Sequence, residues 1–299
     1  MRPEGEITRG TTNPSRLRRV DRWITQAQRS VLRAIERPLL VDLGFGASPV
    51  TTVELYRRVR AVVPDAEVVG LEIDPERVAA ARRRLAALRA AGDELAGLSF
   101  GVGGFELPVA RRPALVRAFN VLRQYQEEQA WAAWSRLRAG LAAGGVLVEG
   151  TCDEIGRRAA WVTLPALSVA ALPAPALPSS ALPPSARAGG GPGGALITFS
   201  ARLASMERPS DLAERLPKTL IHRNVPGEPV HAFLRDFDRA WDRAAPYSAF
   251  GARQRWLAAV AALSDGWPVL RHPPGGGRGR WRLGEVTLPW AALAPHGRK

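Results

Sequence analysis

Residues 39–48 read LLVDLGFGAS. Leu39, Leu40, Val41 and Leu43 form a short apolar run, the length and composition of a buried parallel strand. Gly44 and Gly46 follow at once, then Ser48, Pro49 and a segment of helical character. Glycines at such a turn let the backbone bend sharply and leave space where a Cβ would otherwise stand. Ser48 suits a helix N-cap and Pro49 the first helical position, so the order is strand, glycine turn, helix. A helix N-terminus beside bare backbone is a polar-ligand site in α/β folds of this kind.

The dinucleotide fingerprint G-x-G-x-x-G would need a third glycine at position 49, which is Pro49. Asp42, two residues before Gly44, gives D-x-G-x-G instead. One βαβ unit later, residues 66–73, AEVVGLEI, read as the next strand, closed by Glu72 before Asp74 and Pro75 start a helix. A carboxylate at that strand end offers the paired acceptors that a ribose diol needs. The D-x-G-x-G turn and the text VVGLEIDPERVAAAR resemble motifs I and II of the class I S-adenosylmethionine-dependent methyltransferases. The family often has a third small residue two positions past the second glycine; here it is Ser48.

The resemblance covers about residues 38–150. It implies a Rossmann-like α/β fold, a mostly parallel sheet with helices on both faces, with S-adenosylmethionine as the cofactor and methyl transfer as the activity. It places Asp42 near the cofactor's methionine end, Gly44 and Gly46 beneath the cofactor, and Glu72 on the ribose. Glu106, the nearest acid past the third strand, is the candidate for the adenine amino group. The rival reading is an RNA-binding or cofactor-binding protein on the same fold without catalysis.

At 299 residues the chain holds one α/β domain of common size and an extension. Cys152 is its one cysteine, which rules out an internal disulfide and fits a reducing compartment, so a cytoplasmic location is expected. The N-terminus, MRPEGEITRG, has no apolar core of a secretory signal, and no proline-free run of about 20 apolar residues predicts a membrane helix. The net charge is +14 and almost all of its basic residues are arginine, with lysine only at Lys218 and Lys299. Such an excess reads either as nucleic-acid binding or, more simply, as a coding bias toward Arg, Ala, Gly and Pro. The charge is uneven. Residues 1–37 carry nine arginines against four acids, a net of +5, and residues 270–299 carry six basic residues against Glu285, again +5. Basic ends of this kind either hold a polyanion or are solvated tails.

Along the chain the expected divisions are a disordered tail at 1–12, the Rossmann-like domain at 13–204 and a mainly helical extension at 205–299. Val20, Trp23, Ile24, Ala27 and Val31 mark an N-terminal helix expected over the sheet edge or the cofactor mouth. Leu98–Val102, residues 114–119 and the VLVEG after Gly144-Gly145 read as strands three to five. Trp161–Leu164 and residues 195–204 read as an antiparallel pair at the sheet edge, joined by a flexible Pro/Gly/Ala-rich insertion at 165–194, of which residues 170–192 should be dispensable for stability. A small ribbon, Val269–Arg271 against Arg280–Leu283, is expected around HPPGGGRG.

Methyl transfer to an already nucleophilic acceptor needs positioning more than acid–base help. The strand ends at which ligands meet in open α/β sheets carry Asn120, Thr151, Cys152, Asp153 and Glu154. Asn120 has a donor and an acceptor to orient a substrate group, and Asp153 or Glu154 can take a proton or steady a cation. The alternative is that the two acids only pair with Arg157 and Arg158. An Asn-Pro-Pro-Tyr motif is absent, since Val121 follows Asn120, which counts against an exocyclic amine acceptor. Gly150-Thr151-Cys152 is similar to the Thr-Cys of cytosine-C5 RNA methyltransferases, but their second cysteine motif is missing, so Cys152 reads as a buried small residue. His222-Arg223-Asn224 reads as a turn network, with closure over the strand ends as the rival. Four histidines and one cysteine lie without ligand spacing, so no metal is expected. The acceptor is a small molecule or RNA, with no membrane partner.

Overall fold

The computed structural model describes residues 3–7, 12–167 and 194–297. The chain enters through α1 (Arg18–Ala27) and α2 (Arg29–Arg33), then alternates β1 (Leu39–Leu43), α3 (Val50–Arg60), β2 (Glu67–Glu72), α4 (Pro75–Ala90) and β3 (Leu98–Val102). It continues with β4 (Leu115–Phe119), α5 (Glu127–Gly140), β5 (Val146–Cys152), β6 (Arg158–Pro165) and β7 (Leu196–Ala201). The last part holds α6 (Lys218–Ile221), α7 (Pro229–Arg243), α8 (Ala252–Leu263), α9 (Arg278–Trp281) and β8 (Glu285–Pro289). The eight strands lie in the order β3-β2-β1-β4-β5-β6-β7-β8. The first five pair in parallel and the last three add antiparallel. This is the expected α/β Rossmann-like sheet.

Local chemistry sets the helix starts. Asp74 caps α4 by accepting from the backbone N–H groups of Glu76 and Arg77, with Pro75 at the first helical position. α3 begins one residue later than the sequence suggests, with Pro49 at the cap and Ser48 Oγ accepting weakly from Val50 N–H at 3.4 Å. The sheet buries a core on each face. Leu40, Val68, Leu115 and Val148 meet α1, α3 and α4 on one side, through Trp23, Tyr56 and Leu85. Val41, Val116, Leu147 and Phe199 meet α5, α7 and α8 on the other, through Trp134, Phe233 and Trp256. α1 therefore lies on a sheet face, with Trp23 edge-on to Trp161 at 5.7 Å, rather than over an edge.

Three expectations give way. Residues 3–7 are placed against the domain rather than disordered, as described below. The ribbon at HPPGGGRG does not form: Arg278–Trp281 is helical, and Leu270 N–H donates to Thr287 of β8. β8 itself pairs with β7, so the β6–β7 pair is internal, and the otherwise helical C-terminal part contributes the sheet's last strand. Of the expected insertion, 168–193 lies outside the described residues, and its dispensability with it.

Candidate functional site

Gly44 and Gly46 take φ of +68° and +78°, which let the chain leave β1 and enter α3. A Cβ on Gly44 would stand 2.7 Å from Val121. Asp42, just before the turn, faces α1 and α3, and it is not free. The Arg117 guanidinium, one strand over on β4 and in register with Asp42, holds it with bonds of 2.9 and 2.7 Å. Thr52 donates to the same carboxylate at 2.6 Å. Arg117 also binds Asp21 of α1 and donates to the Thr51 carbonyl at 3.1 Å; Asp21 in turn takes Arg58 of α3 at 2.7 Å. Arg117, Asp21 and Asp42 are all buried. Burial pushes the Asp21 carboxyl up to about 6, with Arg117 and Arg58 opposing. Asp42 thus ties the glycine turn to α3 and β4, and through Arg117 to α1.

Glu72 sits at the end of β2 as expected, 1% exposed. One carboxylate oxygen accepts from Gly46 N–H at 2.9 Å and the other from Ile73 N–H at 2.9 Å. The second-strand acid and the glycine turn are therefore stitched together. Above them runs the N-terminal strap. Glu4 N–H donates to Glu106 at 2.9 Å, and the Glu4 carbonyl accepts from Phe105 N–H at 3.0 Å. Glu6 N–H donates to the Tyr125 hydroxyl, and Gln124 donates to the Glu6 carbonyl at 3.1 Å. The Glu4 carboxylate pairs with Arg136 at 2.6 Å. A side chain on Gly104 would collide with the Glu4 carbonyl, so only glycine lets the strap lie this close. Glu106, expected to meet an adenine amino group, spends one oxygen on Glu4 N–H and the other on Gly104 N–H at 3.0 Å.

The strap leaves little room. A cavity of about 20 Å³ beside Glu72 and Tyr125 is walled by Glu4–Glu6, and one of about 40 Å³ beside Asp42, Gly44, Gly46 and Asn120 is walled instead by Thr12, Arg16 and Leu17. Each holds a water or two, whereas a cofactor cleft runs to several hundred Å³. The chemistry of the seat fits an adenosyl group; its volume admits one only if Glu4–Glu6, and by the glycine turn the Thr12–Leu17 segment, give way.

At the carboxyl ends of β4 and β5, Asn120 stands at φ +60°, a left-handed conformation uncommon outside glycine. Its side chain bridges the two strands, accepting from Cys152 N–H at 3.0 Å and donating to the Cys152 sulfur at 3.4 Å. Burial pushes the Cys152 thiol up, against Arg16 and Asn120, which suits a packed thiol and not a thiolate nucleophile. Asp153 caps the next turn, accepting from the backbone N–H groups of Ile155, Arg157 and Arg158. It meets Arg157 and Arg158 through their backbones rather than their guanidinium groups. Glu154 is exposed, and its carboxylate forms no hydrogen bond or ion pair among the described residues. Arg223 grips Glu127 at the start of α5 with a fork of 3.0 and 2.7 Å, and His222 meets Lys218 at 3.0 Å. The Arg223 fork fastens the end of α6 to α5 and the His222 contact stays within α6, as in the turn-network reading. Among the described residues no cluster of His, Cys, Asp or Glu can hold a metal, and no helix is long and apolar enough to cross a membrane.

The sequence did not reveal the parts that reach this site through space: Arg117, Tyr125 and the strap itself.

No family model matches the sequence, and no curated protein matches it. Solved structures do. A putative sarcosine dimethylglycine methyltransferase from Galdieria sulphuraria aligns over 49% of this chain and 55% of its own at 19% identity, with a TM-score of 0.35. Human N-acetylserotonin methyltransferase, in complex with S-adenosylmethionine, aligns over 47% of this chain and 39% of its own at 21% identity, TM-score 0.30. An O-methyltransferase from neocarzinostatin biosynthesis, in complex with S-adenosylmethionine and 2-hydroxy-5-methyl naphthoic acid, aligns over 44% and 35% at 18% identity, TM-score 0.33. The aligned part spans from about a third to just over half of these structures. The solved structures to which the chain is similar here are methyltransferases.

Proposed function

We propose that the protein transfers a methyl group from S-adenosylmethionine to an acceptor, a small molecule or an RNA, at the carboxyl ends of β4 and β5. The observation that carries the reading is the bond between Gly46 N–H and Glu72, which puts bare backbone and a second-strand carboxylate in one seat. The cofactor would supply an electrophilic methyl group on a sulfonium. Gly44 and Gly46 leave room beneath it, Glu72 accepts the ribose hydroxyls and Glu106 accepts the adenine amino group. Glu4 N–H already gives Glu106 a donor of that kind, so the strap and the adenine compete for one acceptor. Asp42 acts by holding the turn rather than by touching the ligand. Asn120 and Asp153 keep the acceptor edge rigid, and Glu154 is the carboxylate left to take a proton or steady a cation.

Calorimetry with S-adenosylhomocysteine tests both parts of this reading. A protein whose seat is covered binds with an affinity reduced by the fraction of time the cover is off. A chain lacking residues 1–7 should therefore bind about tenfold or more tightly than the full chain. Equal affinity would mean that the strap does not cover the seat. Glu72→Ala in the shortened chain should weaken binding by about 1–3 kcal/mol through the loss of the ribose bonds. Binding of a nicotinamide cofactor by both chains, with none of the homocysteine compound, would overturn the methyl-donor reading.

A further inference from the structure

The two basic ends of the chain meet. Arg18, Arg19 and Arg22 of α1 face Arg282 after α9 across an open cavity of about 580 Å³. Arg157 of the β5–β6 turn, Arg202 after β7 and Arg253 at the start of α8 complete its wall. Seven of the fourteen lining residues are arginine and none is acidic, so the wall is one-signed.

Many guanidinium groups elsewhere pair with carboxylates, as at Arg58, Arg117, Arg223 and Arg280, while others, such as Arg83 and Arg84 of α4, stand in solvent on a convex face. Here the wall is concave. Among the described residues, the side chains of Arg18, Arg22, Arg157, Arg202, Arg253 and Arg282 form no hydrogen bond or ion pair. Arg19 alone is fixed, donating to the Leu283 carbonyl at 2.8 Å and more weakly to Ser200. Burial first, and then Arg22, Arg18 and Arg202, press its guanidinium below the ordinary arginine value, with Glu285 opposing. Glu285, the opposing acid, is buried and bound to Arg280 at 3.0 Å. The first turn of α8, a helix of 12 residues, adds the positive end of its dipole through Ala252 and Arg253.

Solvated arginines on a bland surface spread apart, because like charges repel. Six unpaired ones from five separate chain segments converging on one concavity leave a positive potential that an anion relieves. Planar guanidinium forks match phosphate oxygens in pairs. We propose that this cavity binds a ligand carrying two or more phosphate groups. Arg157 lies five residues past Cys152, on the turn that Asp153 caps, so the cavity opens beside the same carboxyl end as Asn120 and Glu154. Arg16 and Leu17, at the start of the same α1 region, line the cavity by the glycine turn. A phosphorylated molecule held by these arginines has its remainder directed along the acceptor edge. The binding itself does not depend on the methyl-donor reading and is tested without the cofactor.

The probes are inorganic triphosphate and a labelled single-stranded RNA, each titrated into the full chain at about 50 mM and about 200 mM salt. Arg202→Gln with Arg253→Gln removes two exposed guanidinium groups that make no described bond, so the melting temperature should hold. Arg83→Gln with Arg84→Gln removes the same charge from the exposed face of α4. Triphosphate should bind the wild type and the α4 variant alike, and the cavity variant about tenfold or more weakly. RNA that competes with triphosphate, and weakens steeply with salt, assigns the phosphates to a nucleic-acid backbone. Triphosphate binding that RNA does not disturb assigns them to a small phosphorylated molecule. The proposal is overturned if triphosphate does not bind, or if the two double variants weaken it equally.

Discussion

Replacing Arg117 with methionine should cost the protein about 3–5 kcal/mol of stability. The side chain is fully buried on a central strand and bridges Asp21 and Asp42, themselves buried. Methionine keeps much of the volume but removes the only cation among the described residues that touches both acids. Arg58 still reaches Asp21, but among the described residues Asp42 keeps only the Thr52 hydroxyl. An isolated carboxylate in that surrounding ionises at a cost of several kcal/mol or takes up a proton. The same bonds tie α1, α3, β1 and β4 together just before the glycine turn, so the ligand seat should loosen with the fold. Neutralising the whole group, as Asp21→Asn, Asp42→Asn and Arg117→Met together, removes the unpaired charges and should recover most of the loss. Urea unfolding of the single and triple variants measures both. A single-variant loss under about 1 kcal/mol would show that the three groups are not a buried ionic unit.

Asp42 is also where sequence reading reached its limit. The strand, the glycine turn, Glu72 and the Asp74-Pro75 helix start were legible because each rests on neighbours in the chain: an apolar period, a cap, a fixed φ. Arg117 stood in the apolar run ALVRAF as a plain strand residue. A lone charge inside a central strand demands a buried partner, but which one depends on a register between β1 and β4 that local pattern does not carry. The strap was illegible for a different reason. Glu4, Gly5 and Glu6 are held mainly through backbone N–H and C=O groups, which every residue has, so a polar N-terminus reads as a tail whether or not it docks. The basic ends were countable, but their meeting required β8 to join β7 and bring Arg282 beside α1. Asp153 stayed open between a free acid and a partner of Arg157 and Arg158, because a turn cap and a catalytic carboxylate share the same letters.

Glu149 was likewise passed over, inside VLVEG, and it carries the second large effect. It lies on β5 between Ala118 and Val162, fully buried beneath the Trp131, Trp134 and Trp290 cluster. Trp134 Nε1–H donates to one carboxylate oxygen at 3.1 Å, and the other has no partner among the described residues. Burial pushes its pKa up to about 8, with the Trp134 bond opposing only in part. The native state therefore holds a neutral carboxyl at neutral pH, while the unfolded chain ionises it from its ordinary value of 4.5. Below that value both states bind the proton and no stability is lost. As pH rises toward about 8, the unfolded chain releases the proton and the native state does not, at about 1.4 kcal/mol per pH unit. The accumulated loss by pH 8 is on the order of 4 kcal/mol, after which the curve levels. Glu149→Gln keeps an acceptor for Trp134 and cannot ionise. Asp21, raised to about 6 by burial, tilts both proteins alike, so the difference between them isolates Glu149. Urea unfolding across this range should find the two nearly equal at acid pH, with the glutamine variant gaining steadily until about pH 8. Parallel curves would mean that Glu149 ionises as freely in the fold as in water, and that a cation or solvent reaches it beneath the tryptophans.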